Sequence, residues 1–281
     1  MPVRPLLLTA ALLTLGLSPV RSAPGALDAM DDALRSADLV ILGEVHDDPR
    51  HHEIQAKAIR RMVDLGRRPT VVFEMIPTDL QDALDRHLAE KPGDVAGIGP
   101  AVSWSDRGWG DFAIYEPVFA AAVANGLPIR GGDLPAAEKR RLSAGADPLD
   151  PERLAVLGLD ADLAPDARAD LAETLRASHC GMLPETAIEP MILVQRARDG
   201  SMAAVIREAA SRGPVVLIAG QGHARRDWGV PAVLARSAPG LAVHAVALRG
   251  GDGGSGGGEP FDAVVPTGPE PAREDPCLAF R

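Results

Sequence analysis

The chain is poor in aromatic residues, in cysteine and in long apolar runs, and each shortage removes a class of protein. Two cysteines in 281 residues, Cys180 and Cys277, are too few for a disulfide scaffold. Export permits a bond between them; separate roles are the alternative. After residue 22 no stretch is long and apolar enough to span a bilayer. Positive charge is also short: Lys plus Arg is 29 against 39 Asp plus Glu, a net charge of −10. That balance argues against nucleic acid and anionic lipid as partners. Only nine residues are aromatic, and a single one is tyrosine.

What is present is a chain 46% hydrophobic, enough for one large domain or two small ones. The N-terminus carries Arg4, then an apolar run from Leu6 to Leu17, then small residues with Val20 and Ser22 at −3 and −1. This pattern predicts a secretory signal peptide over 1–22 and a mature domain over 23–281, periplasmic or secreted. No cysteine lies near the cleavage site, so a lipid anchor is not expected there.

Short apolar runs at Leu39–Leu42, Thr70–Phe73, Leu127–Arg130, Val215–Ala219 and Leu241–Leu248 read as buried strands, with "FDAVV" as one more at an edge. Helical patterns separate several of them. Asp48 and Pro49 open a helix to about Asp64. "TDLQ", Thr78–Gln81, reads as a capping box. Further helices are expected over Glu116–Ala124, Asp166–Ala177 and Glu189–Ala210. Strands alternating with helices predict an α/β fold, a mostly parallel β-sheet flanked by helices. The stretch 249–260 reads as a glycine-rich loop.

Ionisable groups gather where the strands end. Glu44 and His46 follow the first run, Glu74 the second, Asp133 the third, and Gln221 and His223 the fourth. In an open parallel sheet, ligands bind beyond the carboxyl ends of the strands. If these strands are parallel neighbours, the groups converge on one edge. Of His51, His52 and Glu53, one or two are expected in solvent. Along Glu189–Ala210, Met191, Gln195, Arg198, Asp199 and Met202 recur on one side of the helix, as a pocket floor or as core with an ion pair. Five of the nine aromatics, Trp104, Trp109, Phe112, Tyr115 and Phe119, lie within residues 104–119. That segment suits a lid over a flat apolar ligand, or a cluster pinning a long loop. In "SHCGM", Gly181 suits the end of a helix.

Six blocks in order, "LGEVHDDPRHHEIQ", "VVFEM", "YEPVFAAAVANGLPI", "SHCGMLPE", "VQRARDGSMA" and "GQGHARRDWGVPAVL", resemble the ChaN-like haem-binding family of the Tiki and erythromycin-esterase-like superfamily. "REDPC" near the C-terminus is similar too. The resemblance implies an exported α/β protein of haem or iron uptake, haem as cofactor, and a homodimer formed on haem binding. It points to Tyr115 as haem iron ligand, with Trp104, Trp109, Arg198, His179 and Gln195 as further haem-binding candidates. After Tyr115 the next ligand candidate is His179, then Cys180 and Met182. The wider superfamily includes hydrolases, in which groups at Glu44, His46, Glu74 and His223 activate water or hold a metal. A divalent metal suits that set; so does His46 as a metal-free general base beside a carboxylate. Unlike lipoprotein members of the family, this chain lacks a lipobox cysteine.

Overall fold

The computed structural model describes residues 25–145, 149–251, 259–270 and 277. The expected signal peptide, most of the glycine-rich stretch and most of "REDPC" lie outside the described residues.

The apolar runs form β1 (Leu39–Glu44), β2 (Thr70–Pro77), β3 (Ile129–Asp133), β4 (Val215–Gly220), β5 (Val243–Arg249) and β6 (Ala263–Pro266). They join in one six-stranded sheet of order β3-β2-β4-β1-β5-β6. Every neighbouring pair is parallel. All residues of β1 and β4 are buried, as continuous apolar strands must be when helices cover both faces. Side chains alternate between the two faces. Val40 and Leu42 pack with Ile59, Phe73 and Phe119 on one side, and Leu39 and Ile41 with Leu217, Met202 and Ile206 on the other. β1 and β4 run in level register, with Glu44 opposite Gly220.

The helix Pro49–Asp64 forms as its opening residues predict: the Asp48 side chain accepts from the Arg50 amide at 3.1 Å. Its inner face buries both His51 and His52, and only Glu53 of that trio is exposed. "TDLQ" does not make a capping box. Thr78–Leu80 is a 3-10 turn, and no side chain caps it or the helix Gln81–Glu90. Gln81 turns instead to the open edge of β3, donating to the Ile129 carbonyl (3.0 Å) and accepting from the Gly131 amide (2.8 Å). An edge strand's unpaired backbone groups compete for such a side chain.

Of the two readings of the aromatic segment, lid or pinning cluster, the structure shows largely a buried cluster. Short helical turns at Ile98–Ala101, Ser105–Arg107 and Phe112–Ile114 break it up. Trp104, Tyr115 and Phe119 belong to the core, Phe119 stacked on Phe73 with ring centres 4.1 Å apart. Trp109 alone among the two tryptophans of this segment remains part-exposed.

The helix Pro165–Ser178 and the long helix Glu185–Ala210 follow. The long helix starts four residues before Glu189 and runs through Pro190. Between them the chain turns at Cys180, which forms a disulfide with Cys277. Pairing, left open by the sequence, is thereby settled, and neither sulfur is free to bind iron.

Gly200 of the long helix lies against the Leu157 backbone so closely that a Cβ there would overlap the Leu157 carbonyl. Alanine in a helix interior ordinarily stabilises by about 0.5–1 kcal/mol over glycine. Here Gly200→Ala is expected to destabilise by about 1–3 kcal/mol through overpacking, read as a lower urea midpoint with an unchanged slope.

Candidate functional site

The carboxyl ends of the four adjacent strands β3, β2, β4 and β1 meet in one buried polar cluster. Glu74 of β2 stands at its centre. Its Oε1 accepts from Arg198 Nη2 at 2.7 Å and lies 3.2 Å from His223 Nε2. Its Oε2 accepts from the Gly220 amide at 2.7 Å and lies 3.9 Å from His46 Nε2. Arg198 also donates through Nε to Asp133 of β3 (2.8 Å), whose other oxygen accepts from Lys139 (2.6 Å). His223 Nδ1 is 2.6 Å from Asp199. Glu44 ends β1 and is as crowded: the Tyr115 hydroxyl donates to it at 2.5 Å, and Gln55 donates at 2.5 Å. His46 Nδ1 is 3.0 Å and His52 Nδ1 3.3 Å from the same carboxylate. Gly220 is required by this approach, since a Cβ there would stand 2.8 Å from His46 Nε2.

A cleft of about 720 Å³ opens beside the cluster. Trp109, Leu175, Met191 and Val194 give it apolar walls, and Arg107, Lys139, Arg140 and Arg198 outnumber Asp106 and Asp133 among its charged lining. Gln195 and Arg198 belong to both places: each lines the cleft and each touches the cluster, Gln195 through His223 at 3.3 Å. Trp109 packs edge-on against the His46 ring, centres 5.0 Å apart.

The sequence candidates therefore divide. Glu44, His46, Glu74 and His223 come together as expected. Trp109, His179, Gln195 and Arg198 line the cleft. Trp104 does not; it is buried in the core, its indole donating to the Gly110 carbonyl at 2.9 Å. Tyr115 does not either: it is buried, with its hydroxyl on Glu44. Burial and the neighbouring Glu44 charge push its pKa far up, against the phenolate an iron ligand requires. Gln55 and Lys139 were not among the sequence candidates, and His52 stood there only as one of a trio next to solvent. His52 and Gln55 sit one turn apart on the helix Pro49–Asp64, a spacing that places them on one face. Among the described residues no group of three or more His, Cys, Asp and Glu is arranged to hold a metal ion. The carboxylate oxygens are engaged with Arg, Lys, Tyr, Gln and backbone partners instead.

The sequence model of a family described as haem-binding uptake, Tiki superfamily, ChaN matches residues 30–234. Among solved structures, ChaN of Campylobacter jejuni with cofacial haem is similar at a TM-score of 0.66 and 22% identity, over 79% of this chain and 85% of that one. The type III effector HopBA1 is similar at a TM-score of 0.48 and 12% identity, over 88% of this chain and 94% of that one. An erythromycin esterase, EreC, in its open conformation gives 0.46 and 14%, over 83% and 76%. No curated protein matches the chain.

Charge is held in the cluster by opposed pairs. Burial works against the His223 cation, but Glu74 and Asp199 outweigh it and raise its pKa from 6.5 to about 9. Burial also works against the Glu44 anion, but His46 and His52 outweigh it and lower its pKa from 4.5 to about 2. For His46, burial again opposes charge, and Glu74 and Glu44 raise its pKa overall. Asp199 goes the other way: burial raises it, and its Oδ2 has no hydrogen-bond partner among the described residues. The His223 contribution to stability is complete below pH 6.5 and is lost as pH rises through about 9. The Glu44 contribution is complete above pH 4.5 and is lost as pH falls through about 2. Thermal unfolding should therefore give its highest Tm between about pH 4.5 and 6.5, and His223→Gln should flatten the alkaline limb.

Proposed function

The chain belongs to the haem-binding uptake family of the Tiki superfamily, ChaN, and on that premise we propose that it is an exported protein that binds haem in the cleft beside the Glu/His cluster. The observation that carries this reading is the make-up of the cleft: a volume of about 720 Å³, within the range of small-molecule sites, with apolar walls and a cationic lining in a chain of net charge −10. Those features suit a flat apolar macrocycle with two carboxylates. Trp109, Leu175, Met191 and Val194 would contact the ring, and Arg107, Lys139 and Arg140 would meet the propionates. When bound, haem supplies an iron with open axial positions.

His179 is the proposed iron ligand in preference to Tyr115. It lines the cleft, and its Nδ1 lies 2.8 Å from the Leu175 carbonyl. A carbonyl only accepts, so Nδ1 carries the proton and Nε2 keeps the lone pair a metal needs. Export is supported by the N-terminal pattern and by the Cys180–Cys277 bond, which persists in oxidising compartments. A haem-linked homodimer is part of the same proposal. Among the described residues no helix is long and apolar enough to cross a membrane.

A second reading, a metal-free hydrolase, rests on His46: its imidazole is 41% exposed and held by the buried carboxylates Glu44 and Glu74. Its raised pKa favours the cation, which suits an anion partner better than a general base. Hydrolysis of an ester or peptide panel that rises with pH and vanishes in His46→Ala would establish this reading in place of the first.

Titration of the mature chain with haem should give a Soret band and saturable binding. His179→Ala is expected to weaken it by about tenfold or more and shift the band, while Tyr115→Phe leaves the band in place. The reverse pattern would return the ligand to Tyr115, and binding no tighter than to an unrelated acidic protein would remove the haem reading.

A further inference from the structure

We propose that the Cys180–Cys277 disulfide is the element that seats His179 in the wall of the cleft, so that ligand binding there depends on the oxidised state of the chain. The proposal rests on the haem reading for the identity of the ligand, and on the turn itself for the seating.

The turn explains the dependence. The helix Pro165–Ser178 ends at His179, whose amide bonds back to the Arg176 carbonyl, while the Cys180 and Gly181 amides bond to Ala177 and Arg176. Cys180 and Gly181 then take positive φ, 59° and 68°. Glycine adopts that region freely, but a residue with a Cβ is crowded there by its own carbonyl. Cysteine lacks the short polar side chain that lets Asn or Asp settle locally in this conformation. Beside those backbone bonds, residue 180 is held by a covalent tie to a residue 97 positions away, with the two Cα atoms 5.6 Å apart.

Stopping the helix at Ser178 matters because of the Leu175 carbonyl. In a continued α-helix that carbonyl would receive the backbone N–H of residue 179, four positions on. Here the helix has already ended, and the His179 amide turns to Arg176, so the Leu175 carbonyl receives the Ser178 hydroxyl at 3.1 Å and the imidazole Nδ1 at 2.8 Å instead of a backbone N–H. Released from Cys277, residue 180 is free to return to the right-handed region and let the helix run on. The His179 amide then competes for Leu175, and the ring loses the contact that sets its tautomer and direction. The step that releases it is thiol–disulfide exchange with a dithiol. The Cys180–Cys277 bond breaks through a mixed disulfide, each protein sulfur gains one electron and one proton, and the dithiol is oxidised to its own disulfide.

The test compares the oxidised mature chain with Cys180→Ser/Cys277→Ser, which leaves no thiol to bind iron. Two readouts are taken: haem titration, and the imidazole C–H NMR signals of His179 without haem, assigned with His179→Gln. The double variant is expected to bind haem at least about tenfold more weakly, with a shifted Soret band, and to show displaced His179 signals. Equal affinity with unmoved signals overturns the proposal. If the oxidised protein itself fails to bind haem, the haem reading falls, and the His179 signals alone decide whether the disulfide seats the ring. If the double variant does not fold, reversible titration of the native chain with dithiothreitol, followed by the same signals, takes its place; signals that stay put through reduction overturn the proposal.

Discussion

The Glu74 carboxylate is the constraint on which the functional end of this fold depends. It is buried within β2, just past the last residue paired with β4, where an ionised group without partners is costly. Its two oxygens gather Arg198 from the long helix, the Gly220 amide from β4, and His223 beyond β4. Arg198 carries the tie onward to Asp133 on β3. One carboxylate thereby fixes how three strands and a helix end relative to one another. Glu44 does the same for β1 with Tyr115, Gln55, His46 and His52.

This arrangement shapes the cleft as much as it fills the cluster. Arg198 and Gln195 turn one side toward Glu74 and His223 and the other toward the open space. Arg198 is held at the floor of the cleft by Glu74 and Asp133 together. The carboxylates of Glu74, Glu44 and Asp133 are engaged with Arg, Lys, Tyr, Gln and amide donors, which compete with a metal for them. Glu44 and Glu74 both favour the cationic form of His46 beside the cleft.

Much of the candidate site was legible in the sequence because parallel strands put their carboxyl ends on one side. Glu44, Glu74, Asp133 and His223 each stand at or just past an apolar run, and the fold class follows from the alternation of such runs with helices. The aromatic segment was less legible. Scarcity drew attention to Trp104 and Tyr115, but composition does not say whether a ring faces a ligand or the core; Phe73 and Phe119 decide that by offering Trp104 and Tyr115 an apolar bed. "TDLQ" misled for a related reason, since Gln81 is drawn to the β3 edge and to Asp85 rather than back to the amide of Thr78.

The sequence by itself determined the parallel α/β class, the strands, the helix opened by Asp48 and Pro49, and the edge at which the acids and histidines meet. These are properties of local apolar patterning and of strand direction, which short stretches encode. Only the tertiary structure decided that Tyr115 serves Glu44, that His179 rather than Trp104 lines the cleft, and that Cys180 closes on Cys277. Each of those outcomes joins residues far apart in the chain, and which side of a helix end or loop meets a distant partner is fixed by packing that no local pattern contains.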